Sequence, residues 1–259
     1  MNVKQLLSLK DKIILVTGGA GHYGKCIAEG LAEADATVII ASRDLEKCRL
    51  VAKEFQDRKL NVHAMRLDQG DHNSIIELKK NILSQFGKLH GLINNAVSRP
   101  MKDYDAPIAQ FSESMQVNAT GVMDITRELV EVIVESGGGS IVNIGSIMGL
   151  YGPDLSNYAG TDMSMKPPPD YYFHNAGLLN LTRYLAQMLA DKNVRVNCVS
   201  PGGLLNNQPP QFIENYRSKV PLKRMANRDD IKGLMVLLTS EAGAYINGTN
   251  IVMDGGLNA

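Results

Sequence analysis

The chain has no tryptophan, few aromatic residues and only three cysteines, and its formal net charge is zero. The cysteines, Cys26, Cys48 and Cys198, are scattered and odd in number, which excludes the disulfide framework of a small secreted domain. Their spacing forms no metal-binding motif, so no metal site is expected. Because 27 basic residues balance 27 acidic ones, nothing predicts nucleic acid or an anionic membrane as a partner.

Long apolar runs are also absent. No segment reaches the roughly 20 apolar residues of a membrane span. The N-terminal stretch "MNVKQLLSLKDK" lacks the apolar core of a signal peptide, so a cytoplasmic protein is expected. What the chain does have is 259 residues, 44% hydrophobic and 21% charged, which is typical of a globular protein with a sizeable core.

Short apolar runs alternate with longer amphipathic stretches about seven times along the chain. Nearly continuous apolar strands joined by helices indicate an α/β fold with a mostly parallel, doubly wound sheet and helices on both faces. No linker or repeat divides residues 1–259, which are therefore expected to form a single domain. The strands are predicted at 12–17, 37–42, 61–68, 89–96, 139–146, 194–201 and 249–256, and the helices at 23–34, 44–58, between the third and fourth strands, at 107–136, at 171–191 and near 228–240.

Two segments interrupt this alternation. Residues 147–170 are rich in Gly, Pro and Met, and residues 201–227 include "PGGLLNNQPP". Long irregular segments in a compact domain are usually lids or disordered, and both follow the C-terminal end of a strand, where open α/β sheets bind ligands. They are therefore predicted to be substrate lids.

A glycine-rich turn follows the first predicted strand and opens the first helix. Its sequence, "TGGAGHYG", has glycines in G-x-G-x-x-G spacing, which permits a tight turn and lets backbone N–H groups reach a pyrophosphate at a helix N-terminus. Thr17 and Gly18 are expected to shape the loop. His22 either caps the helix or faces a phosphate. The residues predicted to bind a dinucleotide here are Gly18, Gly19, Gly21, His22, Tyr23 and Gly24.

The end of the second strand is expected to select the cofactor. An acidic residue there binds the ribose 2′-hydroxyl of NAD, whereas an arginine accommodates the 2′-phosphate of NADP. This chain has Ser42 at the acid position, followed by Arg43. A missing acid and a present cation both favour NADP over NAD. The alternative is that Arg43 is a solvated loop charge paired with Asp44.

The chain resembles the short-chain dehydrogenase/reductase family along nearly its whole length. The matches, in order, are "TGGAGHYG", "LDQGD", "NNA", "VNATG", "IVNIGS", the helix after Tyr171, "RVNCVSPGG" and "INGTNIVMDGG". The segment "NYAGTDMSMKPPPDYY" resembles oxidoreductases of flagellin-modification and nonulosonic-acid pathways. The resemblance implies a Rossmann-type sheet, a nicotinamide cofactor and a homodimer or homotetramer. It also implies cofactor-binding roles for Asp68, Asn95, Ala96, Pro201 and Gly202.

The family mechanism, carried over by position, involves four residues. Ser146 would hydrogen-bond the substrate oxygen, Tyr171 would be the general acid and base, and Asn118 would hold a water on a proton relay. The fourth residue of the family is a lysine that activates the tyrosine and binds the nicotinamide ribose. This chain has Asn175 there, which can hydrogen-bond a ribose hydroxyl but carries no charge.

Each of these assignments has an alternative. Ser146 could be an ordinary strand-end serine, and Asn118 could cap backbone groups in a helix kink. Tyr158 stands at a more usual spacing after Ser146 than Tyr171 does, but no helical pattern follows it. Two further residues, Lys166 and Arg99, could restore a positive charge, bind an acidic sugar phosphate, or be ordinary loop charges.

Two functions therefore compete. The first is an NAD(P)-dependent oxidoreductase that interconverts an alcohol and a ketone on a small molecule, with a sugar or amino-sugar derivative as the suggested class. The second is a dinucleotide-binding protein of low or no activity that acts through assembly or regulation. Ser146, Tyr171 and Asn118 favour the first, and Asn175 favours the second.

Overall fold

The computed structural model describes all 259 residues and contains one seven-stranded parallel sheet. The strands are short and mostly apolar, and the central residues of the five interior strands are buried on both faces. Strand bounds are β1 Ile13–Thr17, β2 Thr37–Ser42, β3 Val62–Arg66, β4 Gly91–Asn94, β5 Gly139–Ile144, β6 Val194–Pro201 and β7 Asn250–Met253.

The strand order is β3-β2-β1-β4-β5-β6-β7. The chain winds outward from β1 in one direction, then returns to pair β4 with the other edge of β1. Such a reversal opens a crevice at the carboxyl ends of the central strands, where ligands bind in this class of sheet. The predicted doubly wound α/β fold is confirmed.

Nine α-helices surround the sheet. One buried cluster of 23 apolar residues lies on the face covered by α2, α3 and α9, and another of 20 lies on the face covered by α4, α6 and α7. The helix bounds are α1 Val3–Leu7, α2 His22–Glu33, α3 Leu45–Asp57, α4 His72–Phe86, α5 Ile108–Met115, α6 Gly121–Glu135, α7 Pro169–Met188, α8 Pro210–Lys219 and α9 Lys232–Thr239. None of them combines the length and apolar character that a membrane-spanning helix needs.

The region predicted as one helix over 107–136 is interrupted. A π-helical turn, Gln116–Thr120, separates α5 from α6. Immediately after it, Gly121 passes so close to the chain following β3 that a Cβ would lie 2.1 Å from the carbonyl oxygen of Gln69. Single π-turns within helices occur often at functional sites, and this one carries Asn118.

The two predicted lids contain more regular structure than their composition suggested. Residues 147–170 include two 3₁₀ turns, Ile147–Gly149 and Leu155–Tyr158, and the first residues of α7. The second segment contains α8, which begins directly after Pro209 with Pro210 as its first residue. Proline suits this position because its fixed φ is helical and its missing N–H would have had no partner.

Side chains of α8 join the two predicted lid segments. Asn215 donates its Nδ2 to the carbonyl oxygens of Asn157 at 3.2 Å and Ala159 at 2.8 Å, and Lys219, at the end of the helix, makes three further hydrogen bonds. Its Nζ donates to Oδ2 of Asp154 at 2.6 Å, to Oγ of Ser156 at 2.5 Å and to Oδ1 of Asn157 at 2.7 Å. Close by, the ring of Tyr158 packs edge-on against that of Phe212 with 5.5 Å between the centroids. We call this set of contacts the Lys219 clasp.

Candidate functional site

A cavity of about 890 Å³ lies at the carboxyl ends of the strands. It extends from the glycine-rich turn after β1, past the end of β2, to the segments after β5 and β6. Fifteen of the seventeen residues predicted from the sequence line it, namely Gly18, Gly21, His22, Tyr23, Gly24, Ser42, Arg43, Asn95, Ala96, Asn118, Ser146, Tyr171, Asn175, Pro201 and Gly202.

The other two, Gly19 and Asp68, do not line the cavity. Gly19 packs under β2, where a Cβ would lie 2.6 Å from the side chain of Ile40. The carboxylate of Asp68 accepts a hydrogen bond from the N–H of Gly70 at 3.1 Å, and so shapes the turn that precedes α4. Both are placed to support the walls of the cavity.

The glycine-rich turn is tight because its backbone segments touch. Gly18 has φ +63°, a left-handed conformation that favours glycine, and a Cβ on Gly24 would lie 2.2 Å from the Gly18 carbonyl oxygen. Asn95, after β4, braces the turn by donating its Nδ2 to the carbonyl oxygens of Thr17 at 2.9 Å and Gly18 at 3.2 Å.

The start of α2 is suited to an anion. Gly21 is its N-cap residue and supplies no side chain, so the first N–H groups of the helix have no capping partner. His22 does not cap the helix either. Its Nε2 lies 3.5 Å from Nδ2 of Asn206, across the cavity in the second lid segment. Free N–H groups at a helix N-terminus, beside a turn with no room for side chains, fit the pyrophosphate of a dinucleotide.

Two cations lie at the far end of the cavity, beyond β2. Arg43 takes part in no ion pair, and Asp44, its suggested partner, instead caps α3 by accepting the N–H of Lys47 at 2.9 Å. Lys47 lines the cavity together with Arg43. Lys47 is not among the residues predicted from the sequence, although it is a second cation close to Arg43, in the first turn of α3.

Ser146 precedes the 3₁₀ turn Ile147–Gly149, Tyr171 lies on α7, and the two elements are in close contact. The 3₁₀ turn after Ser146 packs on α7, where a Cβ on Gly149 would lie 2.6 Å from the carbonyl carbon of Asn175. The Ser146 hydroxyl oxygen accepts the N–H of Met148 at 3.2 Å, which leaves its proton free to be donated. The alternative tyrosine, Tyr158, lies in the clasp and does not line the cavity.

The ring of Tyr171 has a neighbour on its face and another at its edge. The guanidinium carbon of Arg99 lies 4.4 Å from the ring centroid, and the His174 ring meets it edge-on at 5.3 Å. His174 is only 7% exposed, and burial lowers its pKa to about 4, so it is neutral near pH 7. His174 is not among the residues predicted from the sequence, although it stands three residues after Tyr171 on the same helix.

Asn175 lines the cavity but uses one of its two amide hydrogens within α7. Its Nδ2 donates to the Tyr171 carbonyl oxygen at 2.7 Å, one turn back along α7, and the residue is 2% exposed. Lys166, one candidate for a replacement charge, pairs with Asp105 at 2.5 Å on the surface. Arg99, the other candidate, lines the cavity.

The amide of Asn118 spans the π-turn and the chain after β4. It accepts the Ser98 N–H at 2.8 Å and donates to the Ser98 carbonyl oxygen at 2.7 Å and to Oγ of Ser114 at 3.0 Å. These bonds match the backbone-capping alternative for its side chain, in a residue that also faces the cavity. They hold the segment that carries Arg99 against α5.

After β6, Pro201 and Gly202 form part of the cavity floor. The hydroxyl of Tyr216, on α8, accepts the Gly203 N–H at 2.6 Å, and a Cβ on Gly202 would lie 2.9 Å from that hydroxyl oxygen. The close approach ties the second lid segment to the end of the sheet.

A protein-family model described as enoyl-(acyl carrier protein) reductase, of the short-chain dehydrogenase type, matches residues 21–258. The chain belongs to the short-chain dehydrogenase/reductase family. Among curated members, it is 30% identical over 256 residues to a post-translational flagellin modification protein A of Campylobacter coli, covering 96% of this chain and 98% of that protein. It is also 30% identical over 264 residues to a 3-oxoacyl-(acyl-carrier-protein) reductase of Thermotoga maritima, covering 97% and 99%.

Solved structures of other family members have the same fold. A short-chain dehydrogenase from Leptospira borgpetersenii with bound NAD+ superimposes with a TM-score of 0.86 at 31% identity, covering 100% of this chain and 96% of that one. An NADP complex of RhlG from Pseudomonas aeruginosa gives a TM-score of 0.87 at 27% identity, with both chains fully covered.

Proposed function

We propose that the chain is an NAD(P)-dependent oxidoreductase that interconverts an alcohol and a ketone. One observation carries the proposal: Ser146 and Tyr171 line the same cavity as the glycine-rich turn at the start of α2. A site for a hydrogen-bonding hydroxyl, a proton-transferring phenol and a dinucleotide pyrophosphate is thereby continuous.

The chemistry follows from the groups that face the cavity. A bound nicotinamide ring would accept or supply the hydride. The Ser146 hydroxyl, whose proton is free, would hold the substrate oxygen, and the Tyr171 hydroxyl would take up or release the proton on that oxygen. In this role Tyr171 must be neutral to support reduction and ionised to support oxidation.

Relatives in complex with NAD+ and with NADP support a nicotinamide dinucleotide as cofactor. The positions of Arg43 and Lys47 favour NADP, because two cations without acidic partners line the part of the cavity where the adenosine ribose would lie. Ser42 occupies the position at the end of β2 where a carboxylate would bind a free 2′-hydroxyl, so this chain lacks that contact.

A sugar or amino-sugar derivative is the proposed substrate class. The amide of Asn206, in the second lid segment, lines the cavity and suits a polyhydroxylated molecule. The similarity to a flagellin modification protein points the same way. We further propose that residues 1–259 form one dinucleotide-binding domain, in which segments 147–170 and 201–227 are the lids.

The second candidate is a dinucleotide-binding protein with little or no catalytic activity. It is favoured by Asn175, whose amide makes a hydrogen bond within α7 and brings no charge to Tyr171. Both candidates require a bound dinucleotide, so cofactor binding does not distinguish them. They differ in whether a substrate is turned over.

A hydride-transfer assay separates them. The chain would be mixed with NADPH or NADH and a panel of sugar phosphates and nucleotide sugars, beside Tyr171→Phe, Ser146→Ala and the control Tyr172→Phe. We expect turnover that is lost in the first two variants and retained in the control, whose phenol does not line the cavity. Tight binding of either cofactor without turnover of any substrate would instead favour the second candidate.

A further inference from the structure

Asn175 occupies the position of the family's lysine, so α7 brings no positive charge to Tyr171. Asn175 is almost fully buried, and its Nδ2 is held by the Tyr171 carbonyl oxygen at 2.7 Å. Lys166 does not replace the charge, because it lies on the surface in an ion pair with Asp105. If Tyr171 transfers a proton, a cation that favours its phenolate must come from another element.

Arg99 is such a cation. It follows β4, on the segment that the Asn118 amide fixes through Ser98, and its guanidinium carbon lies 4.4 Å from the centroid of the Tyr171 ring. No carboxylate pairs with it, and its guanidinium donates no hydrogen bond within the chain. Its charge is therefore not neutralised by the protein.

The other ionisable groups around Tyr171 do not supply a positive charge. His174 is neutral near pH 7, because burial lowers its pKa to about 4. Asp170, the preceding residue, is 1% exposed, and its carboxylate oxygen Oδ1 has no hydrogen-bond partner. Burial raises the pKa of the nearby phenols of Tyr23 and Tyr172, so both are neutral.

We propose that Arg99 supplies, from the loop after β4, the charge that the family's lysine supplies from the helix. A cation above an aromatic ring is attracted to the neutral ring and more strongly to its anion, so it favours the phenolate. Arg99 acts through Tyr171 and is a positioning residue. The proposal rests on the proposed role of Tyr171 in proton transfer.

The test compares pH–rate profiles for alcohol oxidation in Arg99→Gln, Arg99→Lys and the control Arg127→Gln, which removes an exposed arginine from α6. An opposite charge within about 4–6 Å shifts an ionisation by about 1 to 3 pH units, and the exposed position of Arg99 places the effect at the lower end. We expect Arg99→Gln to move the profile about one pH unit toward alkaline pH and to slow oxidation at pH 7 about tenfold. Arg99→Lys should recover part of the loss, and Arg127→Gln should match the parent.

A second-site variant makes the test specific. Asn175→Lys restores the family's lysine, so it should return the profile of Arg99→Gln to that of the parent. Its gain should be larger in the Arg99→Gln background than in the parent, because two charges that serve the same phenolate are not additive. An unmoved pH profile in Arg99→Gln would overturn the proposal. So would a change confined to KM for anionic substrates, which would assign Arg99 to substrate binding.

A readout without substrate keeps this test separate from that of the proposed function. The tyrosinate absorbance of the chain minus that of Tyr171→Phe, followed against pH, reports the ionisation of Tyr171 alone. Arg99→Gln should move this difference curve to higher pH, even in a chain that turns over no substrate. A difference curve that is the same with and without Arg99 would refute the charge role. A shifted curve in a parent chain that turns over no substrate would contradict the proposed function instead, and leave the charge role of Arg99 intact.

Discussion

The discrimination between NADPH and NADH should depend on Arg43 and Lys47. Both side chains are exposed, line the cavity beyond β2 and lack an acidic partner, since Asp44 is used as the cap of α3. We consider Arg43→Ala, Lys47→Ala and the double variant. Arg49→Ala is the control, because Arg49 lies on α3 with Lys47 but forms an ion pair on the surface with Glu46.

The expected size follows from what these groups can contribute to binding a 2′-phosphate. A hydrogen bond to a charged group contributes about 1.5 to 3 kcal/mol, and solvent around an exposed arginine places it at the lower value. An exposed lysine should add up to about 1 kcal/mol. Since about 1.4 kcal/mol is tenfold in affinity, Arg43→Ala should weaken NADPH about tenfold and the double variant about 50-fold.

Calorimetric or fluorescence titrations of both cofactors provide the measurement. NADH affinity should stay within about twofold in every variant, because NADH has no 2′-phosphate. Raising the salt concentration should narrow the gap between the cofactors in the parent and leave the double variant unaffected. Equal losses for NADPH and NADH would refute the reasoning, because they would place the two cations on a part of the cofactor that both share.

Three further predictions concern stability, lid motion and assembly. Burial holds the pKa of His174 at about 4, below its ordinary 6.5, so the free energy of unfolding should fall by about 3 kcal/mol as pH drops from about 6.5 to 4. In denaturant titrations, this fall should be smaller in His174→Gln than in the surface control His72→Gln. Lys219→Met should open the clasp, so amide hydrogen exchange should speed up in both lid segments together, and a change in one segment alone would contradict their coupling. Two exposed aromatic residues, Phe173 and Tyr184, lie on one side of α7, so we expect light scattering to show a homodimer or homotetramer. Tyr184→Arg should shift the assembly toward the 28.2 kDa monomer, and a parent that is monomeric at micromolar concentration would rule this prediction out.

The strands and the glycine-rich turn could be predicted because they obey local rules. Apolar runs of β1, β2 and β6 are long enough to be buried on both faces, and the turn at Gly18 requires glycine whatever surrounds it. The roles of Ser146 and Tyr171 are predicted from the family resemblance, because no local sequence pattern relates two residues so far apart in the chain.

Contacts between distant loops could not be read in this way. The placement of Arg99 on the face of Tyr171 depends on the path of the chain after β4, which Asn118 sets through a π-turn that no local pattern announces. The Lys219 clasp likewise joins two segments whose composition suggested irregular structure. In both cases the partner is selected by tertiary packing, so neither sequence spacing nor propensity contains the information.

The contact between Gly149 and the backbone at Asn175 has a consequence for how such an enzyme could be altered. It holds the turn after Ser146 against α7 before the chain reaches Leu150, so this contact does not depend on the path between Leu150 and Pro168. Lengthening a loop is thermodynamically mild, at about 0.6 kcal/mol per doubling. We therefore expect that the stretch could be exchanged for the corresponding loop of a relative, with a different length and lining. Ser146 and Tyr171 would keep their relative position while a different range of small molecules gained access to the cavity.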